Sequence, residues 1–186
     1  PYKIVGGVEF YRRKEVKDVI AYLRMLSNEN DEESLLRVMN FPQRGIGNTS
    51  ISKMIAFARK LEISLFTTMS RVFEVIEVKE RIQKNVKQFK QLLDKYIELK
   101  EKLSLGELTA ALIDELGVLK IYKEEGTQES MARYENIQEL IAGVHEFSKS
   151  NPSATLDDFL SEVSLIAGVD QYDEKVNSVT LMTIHS

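Results

Sequence analysis

The sequence predicts a mainly α-helical protein with one short β-strand at each end. Apolar residues recur at three- and four-residue spacing through most of the chain, which is the pattern of amphipathic helices. Apolar runs typical of strands occur at residues 2–5 and 179–184. We therefore expect a bundle-like body of about eight helices between two short strands.

The helices follow from apolar spacing, taken in order along the chain. Helical spacing begins at Arg13, and a short second helix ends before Pro42 because a residue that precedes proline disfavours helical backbone. A third helix follows the glycine-containing residues 44–47, and the longest is expected over residues 80–103. Another long helix is expected over residues 127–148.

Cap residues define several boundaries. In a capping box, a hydroxyl side chain and an acidic side chain three residues later bond to each other's backbone N–H groups. The chain has two such pairs, Ser104 with Glu107 and Thr155 with Asp158. Gly117 fits a C-terminal helix stop.

Composition excludes several classes of protein. The 186 residues include no cysteine, which excludes a disulfide framework and thiolate metal sites and fits a cytoplasmic location. No segment is apolar enough to span a membrane, and no secretion leader is visible. The net charge of −4 predicts that any contact with nucleic acid comes from a local patch. The absence of an initiator Met predicts a piece of a longer chain.

The most interpretable local motif is Arg44-Gly45-Ile46-Gly47 ahead of a helix. The glycines allow a tight turn and a close approach to a ligand, and the helix offers unpaired N–H groups that suit one phosphate. Arg44 and Lys53 can add charge, and Thr49 and Ser50 can add hydroxyl donors. The layout resembles a helix-hairpin-helix element, which grips the DNA backbone without reading sequence. The alternative is a glycine-stiffened turn between packed helices.

Other candidate residues favour ordinary structural roles. His145 is expected on or near a helix surface and His185 at a strand end, so they make no metal site. Asp170, Asp173 and Glu174 fit a solvated acidic loop. Five cations are expected on a solvated helix face, although a phosphate-tracking stripe is the alternative; they are Lys79, Arg81, Lys84, Lys87 and Lys90. The sequence has no GxxxxGK[ST] loop and no catalytic triad, so we expect no nucleotide chemistry from these residues.

Residues 1–24 read PYKIVGGVEFYRRKEVKDVIAYLR, residues 44–47 read RGIG and residues 179–186 read VTLMTIHS. These three separated segments, in this order, resemble the UvrD/Rep family of superfamily 1 DNA helicases. Residues 1–24 are similar to the family's PYxIxGGxxFxxRxEIKDxxAYLR segment. Residues 44–47 match its RGIG element, and residues 179–186 match the start of helicase motif V. Arg12 departs from the family, which often has an acidic residue there.

The resemblance implies an organisation into three parts. Residues 1–28 and 178–186 would belong to the second RecA-like core domain, and residues 29–177 would be the helical 2B subdomain inserted into it. This subdomain is expected to contact duplex DNA ahead of the fork and to reorient relative to the motor core. ATP and Mg²⁺ would bind elsewhere in the parent helicase, so this chain is expected to have no cofactor and no ATPase activity alone.

The resemblance also assigns roles to residues and partners. Expected DNA contacts are Arg44, Gly45, Ile46, Gly47, Thr49, Lys53 and the motif V residue His185. Expected positioning residues are Arg13, Glu15 and Lys17. Expected partners are double-stranded DNA near a single-strand junction, the motor domains, and repair or replication proteins. The alternative function is a docking or autoinhibitory module of the same helicase.

Overall fold

The structure, a computed structural model, describes residues 8–168, and this part of the chain is mainly α-helical, as predicted. It contains ten α-helices and one short 3₁₀ helix, η1. Their bounds are α1 Val8–Arg12, α2 Lys14–Ser27, α3 Glu32–Val38, α4 Asn48–Lys60, α5 Leu65–Ser70, η1 Val72–Glu74, α6 Glu80–Leu99, α7 Leu105–Leu116, α8 Val118–Glu125, α9 Gln128–Ser150 and α10 Leu156–Gly168. Both predicted strands, the acidic loop and His185 lie outside the described residues.

The helix boundaries differ from the prediction in several places. A helix already begins at Val8, and the chain extends at Arg13 before α2 begins. Helix α6 ends at Leu99 instead of residue 103, because the chain then tightens into a turn in which the Lys102 N–H donates to the Leu99 carbonyl, three residues back, at 2.9 Å. The expected number of about eight helices was too low because short helices such as α1 and α5 carry little periodic signal.

The predicted caps are present. The Ser104 N–H and hydroxyl both donate to the Glu107 carboxylate, at 3.0 and 2.6 Å, and the Glu107 N–H donates to the Ser104 hydroxyl at 3.4 Å. The Thr155 and Asp158 pair has the same reciprocal bonds. Gly117 ends α7 with a φ of 66°, which is a conformation that glycine adopts without a Cβ clash.

Helix α2 lies at the centre of the described part. Ten of its 14 residues are buried, and it packs against α1, α3, α6, α9 and α10. Helices α4, α5 and α6 follow one another in contact, whereas α7 and α8 pack on α9. No helix in residues 8–168 is long and apolar enough to cross a membrane. The core is therefore one continuous apolar cluster from Phe10 to Val163.

Candidate nucleic-acid interface

The glycine turn, residues 44–47, connects α3 to α4 and is fixed by two asparagines. The Asn40 carbonyl oxygen Oδ1 accepts from the N–H groups of Arg44 at 2.9 Å and of Ile46 at 3.0 Å. Asn85 on α6 donates from Nδ2 to the Arg44 carbonyl at 2.8 Å. The Ile46 side chain is fully buried. The turn is therefore held rigidly against the helical body.

The Arg44 side chain is used by the protein itself. Its guanidinium donates to the main-chain carbonyls of Phe41 at 2.6 Å, Val38 at 3.1 Å and Pro42 at 3.2 Å. It also lies 4.3 Å from the centre of the Phe89 ring. These contacts close the end of α3, so the structure gives Arg44 a role in the fold. Its predicted contact with phosphate stays a prediction.

Tyr22 completes this arrangement from α2. Its hydroxyl accepts from Arg44 at 2.6 Å and donates to the Phe41 carbonyl. Burial raises the pKa of Tyr22 to about 12, although the neighbouring Arg44 lowers it in part. The phenol therefore keeps its proton near neutral pH and can continue to donate to the carbonyl.

The two glycines of the turn have different structural requirements. Gly45 has a φ of +72°, which non-glycine residues adopt at a cost. Gly47 has a φ of −79° and a ψ of 162°, which any residue can adopt. A Cβ added at Gly47 would meet no atom within 4 Å. The prediction that both glycines serve the turn is thus confirmed for Gly45 only, and the fold does not explain the glycine at position 47.

The N-terminus of α4 is open. Gly47 is its N-cap residue and has no side-chain oxygen to accept from the first N–H groups. Among the described contacts, the N–H groups of Asn48 and Thr49 have no acceptor. Both residues are exposed. Free N–H groups and the positive end of the helix dipole together favour an anion at this position.

One face of α4 continues from this end as an exposed, cationic surface. Thr49 and Lys53 are four residues apart, so they lie on the same side of the helix. Lys60 is seven residues further and keeps the same orientation. We call these three residues the α4 face. Lys53 donates from Nζ to the Glu77 carbonyl at 2.8 Å, which ties the α4 face to the turn before α6.

Charge is unevenly distributed along the chain. Residues 34–93 include eleven Lys or Arg and four Asp or Glu, a net charge of +7, and no acidic residue occurs between Glu33 and Glu62. The remaining residues carry a net charge of −11. The acidic balance of the whole chain therefore hides a basic region that contains the glycine turn and α4.

The five cations at the start of α6 do not form one uniform face. Lys79, Arg81, Lys84 and Lys87 are exposed, as the solvated-face interpretation predicts. The prediction was wrong for Lys90, whose ammonium lies 4.2 Å from the centre of the Phe66 ring and pairs with Asp94 at 2.5 Å. Lys90 covers an aromatic side chain, so its stem is packed instead of solvated.

The predicted positioning residues divide into two kinds. Arg13 donates to the side-chain oxygen Oδ1 of Asn136, and Nδ2 of the same side chain donates to the buried Glu15 carboxylate at 2.5 Å. This network fastens the start of α2 to α9. Lys17 is exposed on α2, away from the glycine turn in sequence and outside this network. His145 is exposed on α9, in agreement with its predicted surface position.

Sequence reasoning missed the residues that build the turn. The residues that hold the turn come from three other parts of the chain, and no local pattern links them to residues 44–47; they are Asn40, Asn85, Tyr22 and Phe89.

The described residues contain no cluster of His, Asp and Glu that could hold a metal ion. The free N–H groups at the start of α4 and the lysines of the α4 face can instead bind an anion.

The comparison with known proteins agrees with this arrangement. Residues 1–186 match the UvrD-like helicase C-terminal domain family, and the chain belongs to that family. It is 36% identical over its whole length to the protein named ATP-dependent DNA helicase PcrA of Bacillus subtilis (strain 168). It is 35% identical to the PcrA proteins of Staphylococcus aureus (strain Mu50) and Staphylococcus epidermidis (strain RP62A), again over its whole length. The chain spans about a quarter, 26%, of the length of these relatives.

Proposed function

We propose that this chain is the accessory 2B part of an ATP-dependent DNA helicase and contacts the backbone of duplex DNA near a single-strand junction. The observation that carries the proposal is the open N-terminus of α4 behind Gly47, at the start of a helix face with no acidic residue. Membership of the UvrD-like helicase family supports DNA as the partner. The named activity of the PcrA relatives supports an ATP-dependent parent.

The proposed contact is with phosphate. The N–H groups of Asn48 and Thr49 would donate to one phosphate, and the Thr49 hydroxyl and Lys53 ammonium would support the same strand. Such contacts carry no sequence information, so binding would be largely independent of sequence and would weaken steeply as salt rises. With few phosphates touched, we expect an affinity on the order of 10⁻⁴ to 10⁻⁶ M.

The motor activity would belong to the parent protein. No phosphate-binding GxxxxGK[ST] loop occurs in this sequence, so ATP and Mg²⁺ would bind to the motor domains and the isolated chain would be inactive as an ATPase. In the proposed division, residues 1–28 and 178–186 join those motor domains and residues 29–177 reorient against them. Helix α2 falls within the first piece but packs against α3, α6 and α9 of the second, so we expect α2 to move together with residues 29–177 during this reorientation.

The test is a titration of the 186-residue chain into labelled duplex, hairpin-junction and single-stranded DNA at low salt, followed by fluorescence anisotropy. We expect weak binding to the duplex and the junction that decreases as salt is raised, and weaker binding to the single strand. Equal binding to all three, or none at low salt, would contradict the proposal.

The second candidate function is protein docking or autoinhibition within the same helicase. The observation in its favour is the net charge of −11 outside residues 34–93, which disfavours DNA over much of the surface. Charge removal on the α4 face distinguishes the two functions, because docking through another surface would not change. The candidate partners are the motor domains and repair or replication proteins.

A further inference from the structure

Asn85 interrupts an apolar stripe of α6. Five residues at three- and four-residue spacing lie on one side of this helix, and the other four are apolar or aromatic and pack against the core; the five are Ile82, Asn85, Phe89, Leu92 and Tyr96. Asn85 is half-buried. Because a partly buried amide costs free energy unless it is hydrogen-bonded, its place in this stripe indicates a specific partner.

The partner of Asn85 is the glycine turn. Its Nδ2 donates to the Arg44 carbonyl at 2.8 Å and lies 3.7 Å from the position that a Cβ would take at Gly45. Asn40 holds the peptide units on either side, through the N–H groups of Arg44 and Ile46. Three successive peptide units ahead of Gly47 are thus each held by a side-chain amide.

The two asparagines differ in their relation to the turn. Asn40 lies four residues before Arg44 on the same segment, whereas Asn85 is 41 residues away on α6. The peptide unit that Asn85 holds ends in Gly45, whose missing side chain gives the backbone more freedom than any other residue would. Among the described hydrogen bonds, the one from Asn85 fixes the orientation of this unit relative to the helical body.

The orientation of the turn determines where the first N–H groups of α4 point. Asn48 and Thr49 follow the turn directly, and Gly47 adds no side chain that could anchor the backbone between them and the turn. A tilt of the Arg44–Gly45 peptide unit would therefore continue into the first turn of α4. Hydrogen bonds weaken steeply as the donor points away from its acceptor, so such a tilt would weaken an anion contact.

We propose that Asn85 is a positioning residue for the phosphate contact. It would not touch DNA; its bond to the Arg44 carbonyl directs the N–H groups of Asn48 and Thr49 toward one phosphate. This inference rests on the proposed function and deepens it, because part of the affinity for duplex DNA then comes from a side chain on another helix. An N-terminus that is held in the binding orientation loses less freedom when the phosphate arrives, and it binds more tightly for that reason.

The variant Asn85→Leu tests this role. Leucine has nearly the shape of asparagine and continues the apolar stripe, but it has no donor, so the packing is kept and the hydrogen bond is lost. Duplex affinity should fall about fivefold. The slope of log affinity against log salt should stay the same, because every phosphate contact is retained. In a ¹H–¹⁵N correlation spectrum of the free chain, the amide signals of Asn48 and Thr49 should shift.

Two controls separate positioning from a general loosening of the fold. Tyr96→Phe removes another bond from α6 to a main-chain carbonyl, that of Ala111 at 2.8 Å, about 16.5 Å further along the helix, and it should bind duplex like the parent. Gly47→Asp would cap the same N–H groups of α4 with a carboxylate. Adding Asn85→Leu to Gly47→Asp should therefore cause little further loss of affinity, because both changes act through one site.

The outcomes separate this inference from the proposed function. Duplex binding by Asn85→Leu equal to that of the parent would overturn the positioning role, and the proposed function would stand if Lys53→Ala still weakens binding. An equal loss for Tyr96→Phe, or the full fivefold loss in the Gly47→Asp background, would also overturn it. A parent chain that does not bind duplex at all would overturn the proposed function and the positioning role with it.

Discussion

At the residue scale, Arg44 and Gly47 contribute to the site in different ways. Arg44 donates to three main-chain carbonyls and stacks on Phe89, so its removal would loosen the turn whether or not DNA is present. Loss of DNA binding on replacing Arg44 would therefore not identify a phosphate contact. A Cβ added at Gly47 would meet no atom within 4 Å, and the backbone angles there are ordinary, so a change at Gly47 tests the ligand more directly.

Gly45 gives a stability prediction at the same scale. Gly45→Ala should lower the free energy of unfolding by about 1 kcal/mol, because alanine is strained at a φ of +72°. The nearest atom to an added Cβ is Asn85 Nδ2 at 3.7 Å, an ordinary contact, so the cost comes from the backbone. Denaturant unfolding of the parent and the variant measures this difference in free energy. Gly45→Asn should recover much of the lost stability, since asparagine tolerates a positive φ. A Gly45→Ala variant as stable as the parent would contradict the explanation.

At the element scale, α4 begins without a side-chain cap, as α2, α6 and α8 also do, but unlike α2 and α6 it has no acidic residue in its first turn. Helices α3, α5, α7 and α9 have side-chain caps from Asp31, Ser64, Ser104 and Thr127. Helix α4 begins with Gly47, which has no capping atom. A side-chain cap would occupy the N–H groups that a phosphate needs, so the open end fits the proposed function.

The α4 face gives a prediction about salt. Lys53→Ala should weaken duplex binding and reduce the slope of log affinity against log salt by about 1, because one phosphate contact is lost. Lys123→Ala, an exposed lysine on α8 in the acidic part of the chain, is the control. Anisotropy titrations over a range of salt concentrations measure both. An unchanged slope for Lys53→Ala would remove this lysine from the contact.

The α7 capping box gives a prediction about pH. The bonds from the Ser104 hydroxyl and N–H hold the pKa of Glu107 below its usual value of 4.5. A lowered pKa in the folded state means that the carboxylate stabilises the fold above pH 4.5 and loses this effect as pH falls further. Glu107→Gln should thus be less stable than the parent at pH 7, and the difference should disappear at low pH. Thermal unfolding at several pH values checks this; a constant difference would contradict it.

At the scale of the whole molecule, the charge is divided between a basic region and an acidic one. The basic region over residues 34–93 would face DNA, and the acidic part made of residues 8–33 and 94–168, with a net charge of −10, would face away from it. This distribution favours one orientation on a duplex and keeps the rest of the surface from binding it. The same distribution would allow a chain of net charge −4 to make the proposed local contact with DNA.

Much of the fold follows from the sequence because its signals are local. Periodic apolar residues located the long helices, and Ser104 and Thr155 marked two helix starts correctly. The sequence could not show that Arg44 points into the protein, because its partners Tyr22 and Phe89 come from distant helices. The contact between the Lys90 ammonium and the Phe66 ring depends on how α5 and α6 pack, and no local sequence pattern predicts that packing.

The central claim is that the open end of α4 holds a DNA phosphate, and Gly47→Asp tests it most directly. Aspartate suits the backbone angles of Gly47 and would cap α4, so stability should rise by about 0.5 kcal/mol. The same carboxylate would occupy the N–H groups and repel phosphate, so duplex affinity should fall about tenfold or more. Thr127→Asp adds the same charge at the cap of α9 and should bind duplex like the parent. A Gly47→Asp chain that is equally or more stable and binds duplex as well as Thr127→Asp would contradict the phosphate site.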